Sequence, residues 1–391
     1  MPHYNVILNL PGFTATKVSG PNPIVIHARY HRKPTCPYCN NSKLRIKDSF
    51  FRQVKHESIG CRNTVLRFKA HKFFCKPCHR YFNQLFPGIL KHKRATEKLR
   101  QQVFRAHVQG VSQTDLAKQF FIAKSTIERW FHDHYFLQSQ SKLNQHWPRV
   151  IGIDEHFFSK KQRFATTFCD LSNHRIFDIA KGKSETDLLP FLQKLPGRER
   201  VKVACIDLSV TYRNLIKKYF PKAMIVADRF HVLRLIEHSF MKTCHSINGD
   251  MKYQRGLLAM MRTRPERLND NKKAKLQQFL NQNPAIHALY EFKEELLALL
   301  KHKHQTAKEC RSLIPIFLDK IKQLKNATFE PLVTLGRTLY KWKDEIVRMW
   351  RFTKNNGITE GFHRKMKLIQ RRAYGFRNFE NYRLRVKVLC S

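Results

Sequence analysis

Acidic residues are scarce in this chain, and the shortage runs through its whole length. Its 391 residues carry 74 Lys and Arg against 29 Asp and Glu, a formal net charge of +45. A compact protein of that charge repels itself unless a polyanion neutralises it, and nucleic acid is the default partner. Long apolar runs are missing as well. None approaches the roughly 20 residues of a membrane span, so no membrane partner is expected. The start, MPHYNVILNLPGF, lacks the basic-then-apolar order of a signal peptide. The expected location is therefore cytoplasmic and nucleoid-associated, where the ten cysteines serve as thiols or metal ligands and not as disulfides. No internal repeat or low-complexity block is evident, and the ordinary apolar content excludes a disordered basic tail. The length suggests two or three domains with sizeable cores.

Four cysteines form two knuckles. Cys36-Pro-Tyr-Cys39 and Cys75-Lys-Pro-Cys78 are both C-x-x-C. Each such turn points two thiolates at one place, and two turns complete the tetrahedral sulfur shell that Zn²⁺ prefers. The spacer has room for strands at Lys43–Lys47 and Thr64–His71, which makes the module a zinc ribbon with a structural metal. Cys61, His71 and His79 are substitute ligands. Bracketing by basic residues, with no βαβ setting, argues against a redox pair.

Residues from about Thr96 to Tyr135 read as a helix-turn-helix. Leu99, Val103 and Ala106 make one apolar face ending at Gly110, and Ser112-Gln113-Thr114-Asp115 is a helix-start signal. Leu116, Ala117 and Phe120 face inward before a turn near Phe121–Ala123, where Phe121 stands in the place a glycine usually takes. The last helix, Lys124 to His132, turns Ile127, Trp130 and Phe131 inward. Its outward set, Lys124, Ser125, Glu128 and Arg129, is placed to reach base edges in a major groove.

From Val150 the pattern changes. Val150-Ile-Gly-Ile-Asp154, Val201–Asp207 and Ala223–Asp228 are short apolar runs that each end in aspartate. Phe164–Leu171 and Arg175–Ile179 flank a hairpin turn at Ser172-Asn173-His174. Ser184–Asp187 caps one helix, and Leu208–Tyr219 is a second. The order β-β-β-α-β-α-β is that of an RNase H-like fold, in which the first and fourth strands are parallel neighbours. Strands lie about 4.8 Å apart, so Asp154 and Asp207 would emerge side by side. Carboxylates that close repel unless a cation lies between them, and hard oxygen donors suit Mg²⁺. Two such ions can assist phosphodiester displacement. Glu155, Asp170 and Asp178 fit such a site less well.

Near the C-terminus the basic helix at Asn355–Arg383 holds the acid Glu360. From Ile346 onward only Glu360 and Glu380 are acidic. Ile358, Phe362, Met366 and Ile369 form an apolar stripe, while Glu360, Arg364, Lys367 and Arg371 share another face. Glu360 either pairs with Arg364 at the surface or serves as a metal-binding carboxylate presented to DNA phosphate, with Arg364, Lys367 and Arg371 as the phosphate-facing wall and Arg372 as a further DNA-binding residue.

The paired C-x-x-C ribbon, the helix-turn-helix, VIGIDE, CIDLSVTYRNLI, IVADRFHVLRLI and TEGFHRKMKLIQRRAYGFRNFENYR together resemble the ISL-three family of insertion-sequence transposases. That resemblance implies a DDE core in which Asp154, Asp207 and Glu360 are the catalytic metal ligands for two Mg²⁺ (or Mn²⁺) ions. Asp228-Arg-Phe-His231 resembles a D-x-x-H motif of several transposase families. His231 then contacts DNA, positions the active site, or is a core histidine. The implied activity is cleavage of double-stranded transposon ends and transfer of the 3′-hydroxyl to target DNA, by a homodimer or higher oligomer on DNA. A structure-specific nuclease and a DNA-binding regulator with an inactive core are the alternatives. The expected organisation is multidomain α+β. A zinc ribbon spans 1–90, a helix-turn-helix 91–140, and the first part of the core 148–231. An all-helical insertion covers 232–350, and the C-terminal core helix 351–391.

Overall fold

The computed structural model describes residues 8–140, 146–160, 163–353 and 357–390, with the backbone alone for 357–360. The chain forms two compact units that meet in sequence at Gln138/Ser139.

The first unit opens with strands β1 (Phe13–Ser19) and β2 (Ile24–Tyr30). A long hairpin follows, β3 (Leu44–Ile59) and β4 (Arg62–Cys75), and then β5 (Arg80–Asn83). The sheet order is β1-β2-β4-β3, with β5 on β4, and only β2 and β4 are parallel. The hairpin outruns the strands expected at Lys43–Lys47 and Thr64–His71. Its alternation carries on through Val54 and His56 on one strand and Leu66, Phe68 and Ala70 on the other, all buried. Phe68 and Phe86 meet edge-on at 4.8 Å in this core.

Three helices complete the unit, α1 (Glu97–Val108), α2 (Gln113–Phe120) and α3 (Lys124–Gln140). Thr96 and Ser112 cap the first two by accepting the N–H of Leu99 and Asp115. Leu99, Val103, Leu116, Phe120, Ile127, Trp130 and Phe131 are buried, whereas Ala106 is half-buried and Phe104 fills its side of the core. Arg100 joins α1 to α3 through Asp133 at 2.6 Å while holding Glu97 at 2.8 Å. Phe121 itself adopts the left-handed turn conformation, φ 50° and ψ 47°. A residue other than glycine takes that conformation at a cost of about 1–2 kcal/mol, and the ring is 71% exposed. The last helix extends past His132 to Gln140 because Tyr135 and Ser139 continue its buried stripe.

In the second unit β6 (Val150–Ser159), β7 (Arg163–Asp170), β8 (Arg175–Lys181), β9 (Val203–Ile206) and β10 (Met224–Ala227) make one sheet of order β10-β9-β6-β7-β8. The pairs β6–β9 and β9–β10 are parallel, and β6–β7–β8 is an antiparallel meander. Helix α4 (Glu185–Lys194) links β8 to β9, with a capping box between Ser184 and Asp187, and α5 (Val210–Tyr219) links β9 to β10. After β10 the chain is helical. It runs through α6 (Arg229–Ile247), α7 (Arg255–Arg262), α8 (Asp270–Gln282), α9 (Pro284–Lys301), α10 (Ala307–Lys325), α11 (Glu330–Lys341) and α12 (Lys343–Arg348). It then reaches α13 (Gly357–Arg372) and α14 (Phe379–Leu389).

The period-2 alternation of β6 and β7 divides the core. Ile151, Ile153 and Phe168 join a large cluster with Leu188, Leu215, Ile236, Leu296 and Trp350. Phe158, Ala165 and Cys169 point to the other face, where Met366 and Ile369 of α13 and Phe379, Tyr382 and Val386 of α14 cover them. Buried Asp178 pins α14 to β8 by accepting from Arg383 at 2.7 and 2.8 Å and from Lys387 at 2.9 Å. Asp170 folds the β7–β8 turn instead, accepting the N–H groups of Ser172 and Asn173.

Candidate active site

The ribbon cysteines converge. Cys36, Cys39, Cys75 and Cys78 have sulfurs within 4.8 Å of one another. The Cys36–Cys78 and Cys39–Cys75 separations are both 3.5 Å. Tetrahedral zinc with bonds of about 2.3 Å needs sulfurs about 3.8 Å apart, so the tetrad fits Zn²⁺. Burial raises the Cys36 thiol, but the backbone N–H groups of Tyr38 and Cys39 and the sulfurs of Cys78 and Cys39 outweigh it and bring it down to about 7. Burial pushes Cys75 up to about 12. A lone buried thiolate is costly there, and a cation removes that cost by binding all four sulfurs as thiolates.

On α3, Lys124, Ser125, Glu128 and Arg129 are all exposed, as the helical spacing predicts. The Arg129 guanidinium is steadied by the Ser125 carbonyl at 3.3 Å and the Thr126 hydroxyl at 3.1 Å.

The aspartates of the second unit lie in a row. In the parallel register Ile153 faces Ile206, and Ile206 faces Ala227. The next residues, Asp154, Asp207 and Asp228, therefore stand at one edge of three adjacent strands. That edge is where parallel pairing stops, not where β6 ends. The strand runs on to Ser159 against β7, and Asp154 is the cross-strand partner of Thr167. Glu155 takes the opposite face and meets Lys183 at 3.4 Å. Asp228 is buried, caps α6 by accepting the Phe230 N–H, and has His231 Nε2 at 3.5 Å.

These carboxyls are crowded. Burial pushes Asp154 up to about 6, with Asp207 and Asp228 adding to the rise and the Glu155 N–H and His231 opposing it. Burial likewise raises Asp207, with Glu155 and Asp228 in the same direction and His231 against them. Asp207 Oδ1 is buried with no hydrogen-bond partner. An orphaned carboxylate oxygen beside a second raised carboxyl, both hard donors, fits a divalent cation such as Mg²⁺. Among the described residues, the cysteine tetrad is the one group of three or more such donors already drawn within 4.8 Å.

Glu360 lies in α13 by its backbone, but its side chain is outside the described residues, as is that of Ile358. Further along α13, Met366 and Ile369 are buried and Phe362 is half-buried, while Arg364, Lys367, Arg371 and Arg372 are exposed. Sequence reasoning missed His363, whose Nδ1 lies 3.8 Å from Asp154 Oδ2. Its spacing of three residues from Glu360 was the available signal.

Comparisons with known proteins agree along the chain. A zinc-finger profile of transposases IS204/IS1001/IS1096/IS1165 matches residues 24–78. The helix-turn-helix profile of transposase family ISL3 matches residues 85–135, and the ISL3 DDE profile, described as a transposase, matches 151–386. The transposase for insertion sequence element IS1001 of Bordetella parapertussis is 22% identical over 395 residues, which cover 96% of this chain and 95% of that protein. The DDE match alone spans more than half of the sequence, and the chain belongs to the ISL3 family of DDE transposases.

Proposed function

We propose that this transposase cuts the ends of its insertion sequence and joins the freed 3′-hydroxyl to target DNA, using Asp154, Asp207 and Glu360 as one site for Mg²⁺. The observation that carries the reading is the aspartate row on β6, β9 and β10, held at one register and left with an orphaned oxygen on Asp207. We read this sheet as an RNase H-like core, with α6 to α12 as an insertion that lets α13 return Glu360 to the two aspartates. Bound at these carboxylates, Mg²⁺ would offset charge developing on the attacking and leaving oxygens. The chain itself binds and orients. Lys124, Ser125 and Arg129 of α3 read the end sequence in the major groove, and structural zinc holds the ribbon that precedes the helix-turn-helix in the chain. Arg364, Lys367, Arg371 and Arg372 take phosphates and set the register of the strand. Asp228 holds His231 at the edge of the site. In the first step water forms one P–O bond as the end phosphodiester breaks, releasing the 3′-hydroxyl. In the second, that hydroxyl forms a bond to a target phosphorus as the target's own 3′-oxygen leaves. No protein nucleophile takes part. We infer a dimer or higher oligomer, since two ends must be processed together.

The test is incubation of the full-length protein with linear DNA carrying the element's ends, a target plasmid and Mg²⁺, scoring cleavage and joining together. Asp154→Ala, Asp207→Ala and Glu360→Ala should each abolish both reactions and spare end binding. Full cleavage by any one of the three sinks the assignment, and cleavage without joining by the native protein would make it a nuclease.

A further inference from the structure

Between the sheet and the two C-terminal helices, apart from the Asp178 cluster, runs a file of polar side chains inside a largely apolar layer. His363 Nε2 lies 3.2 Å from Thr167 Oγ1. Thr167 Oγ1 lies 3.1 Å from His156 Nδ1, and His156 Nε2 lies 3.0 Å from the Tyr382 hydroxyl. At the open end of the file His363 Nδ1 meets Asp154 Oδ2 at 3.8 Å, in electrostatic contact but not hydrogen bonded. Strand geometry accounts for the alignment. Asp154 and His156 are two apart on β6 and so share a face, and Thr167 is the cross-strand partner of Asp154. The helices supply the other two members, His363 from α13 and Tyr382 from α14.

This file is an expensive way to fill space. Thr167 and Tyr382 are fully buried and His156 nearly so, among Phe158, Met366 and Ile369. Polar groups buried there gain little over an apolar core of the same shape, even when every partner is satisfied. What they add is direction. Met366 and Ile369 keep α13 on the sheet, but apolar contact resists sliding and rotation only weakly. A hydrogen bond between His363 and Thr167 fixes both, and Gln370, two turns on, donates to the Phe158 carbonyl at 3.1 Å. His363 stands one helical turn beyond Glu360. Any roll or shift of α13 at His363 is therefore carried to Glu360.

We propose that His363 is a positioning residue of the transposition site. It grips Thr167 and touches Asp154 at once, and so sets the height and rotation at which α13 presents Glu360 to the aspartates. This rests on the reading of Asp154, Asp207 and Glu360 as one site. The role belongs to the imidazole's shape and its two nitrogens, in the manner of groups that orient metal ligands from behind.

The experiment uses full-length protein, end DNA and a Mg²⁺ titration. His363→Leu keeps the volume and removes both nitrogens. It should melt and bind end DNA as the native protein does, yet cleave roughly 10–100-fold more slowly and need more Mg²⁺ for half-maximal rate. His363→Gln, whose amide reaches the Nε2 position, should recover most of the rate and the native Mg²⁺ requirement. Cleavage by His363→Leu within about twofold of native overturns the proposal. So does an equal loss in His363→Gln at unchanged melting temperature. Should His363→Leu fail to fold, Thr167→Val reads the same link from the strand side. A raised Mg²⁺ requirement supports positioning, and a native rate at native Mg²⁺ overturns it. Asp154→Ala run in parallel separates the two failures. If it still cleaves, the shared-site reading has failed. If it is inactive while His363→Leu is fully active, only the positioning role has.

Discussion

The cysteines of the first unit and the carboxylates of the second both gather donors suited to a metal, but they relate to their folds in opposite ways. The tetrad comes from two turns on one hairpin and its flanks, closed on itself, with all four sulfurs within ligating distance. A closed soft site of this kind is part of the stability of a small module. The aspartate row comes from three strands and leaves Asp207 Oδ1 without a hydrogen bond. Burial, and after it the neighbouring carboxylates, push Asp154 and Asp207 upward. Without a cation such a site costs stability, the common state of a site shaped for a charged reaction and not for the resting fold. Asp178 shows that the same unit buries a carboxylate at ease when Arg383 and Lys387 surround it.

That contrast can be broken at several points. The largest effect belongs to Cys75→Ser, which should release zinc, unfold the ribbon and weaken end-DNA binding more than roughly 100-fold. The core's melting transition should be left in place. Metal analysis with gel shift reads it, and a zinc-free ribbon that still binds tightly would end the distinction. Next is Asp178→Asn, which strands Arg383 and Lys387 in a buried layer and should cost about 3–5 kcal/mol by denaturant melting. A neutral result would mean that the pair does not anchor α14.

Asp154→Asn should act in the other direction and stabilise the Mg²⁺-free protein. Because the folded Asp154 is raised to about 6, the native form carries its full penalty above that pH and is relieved as pH falls from there to the ordinary carboxylate value of the unfolded chain. The gain should therefore be present at neutral pH, on the order of 1–3 kcal/mol, and vanish near pH 4. Mg²⁺ should raise the native melting temperature and leave the variant's unchanged. A variant less stable than native at neutral pH, without Mg²⁺, contradicts the account. The smallest effect is expected from Phe121→Gly, which relieves a left-handed residue in the helix-turn-helix by about 1 kcal/mol, independent of either metal. A loss of stability there would show that the exposed ring packs in a way the turn geometry does not reveal.

Local spacing made some of this architecture readable from residues alone. The C-x-x-C pairs, the Ser112 and Ser184 caps and the three apolar runs ending in Asp154, Asp207 and Asp228 are all short-range patterns, and the structure places each where its pattern points. Long-range pairing was less visible. Strands β1 and β2 carry no turn signal that ties them to the ribbon, and their place is set by the parallel pairing of Ile24–Ala28 with Thr64–Phe68. The continuation of β6 to Ser159 depends on β7 lying beside it, so an apolar run ending at Asp154 looked like a whole strand. His363 was overlooked because its partners, Thr167 and Asp154, lie some two hundred residues away in sequence. Phe121 shows a different limit, since the fold holds a bulky residue where propensity favours glycine.

The central claim is that α13 brings Glu360 to the ion held by Asp154 and Asp207. Replacing Mg²⁺ by Fe²⁺ and generating hydroxyl radicals at the bound ion cuts the peptide chain wherever it passes close by. Sequencing the fragments from native full-length protein should show cuts beside Asp154, beside Asp207 and in α13 at Glu360, all lost together in Asp207→Asn. Cuts at the two aspartates with α13 intact would contradict the account.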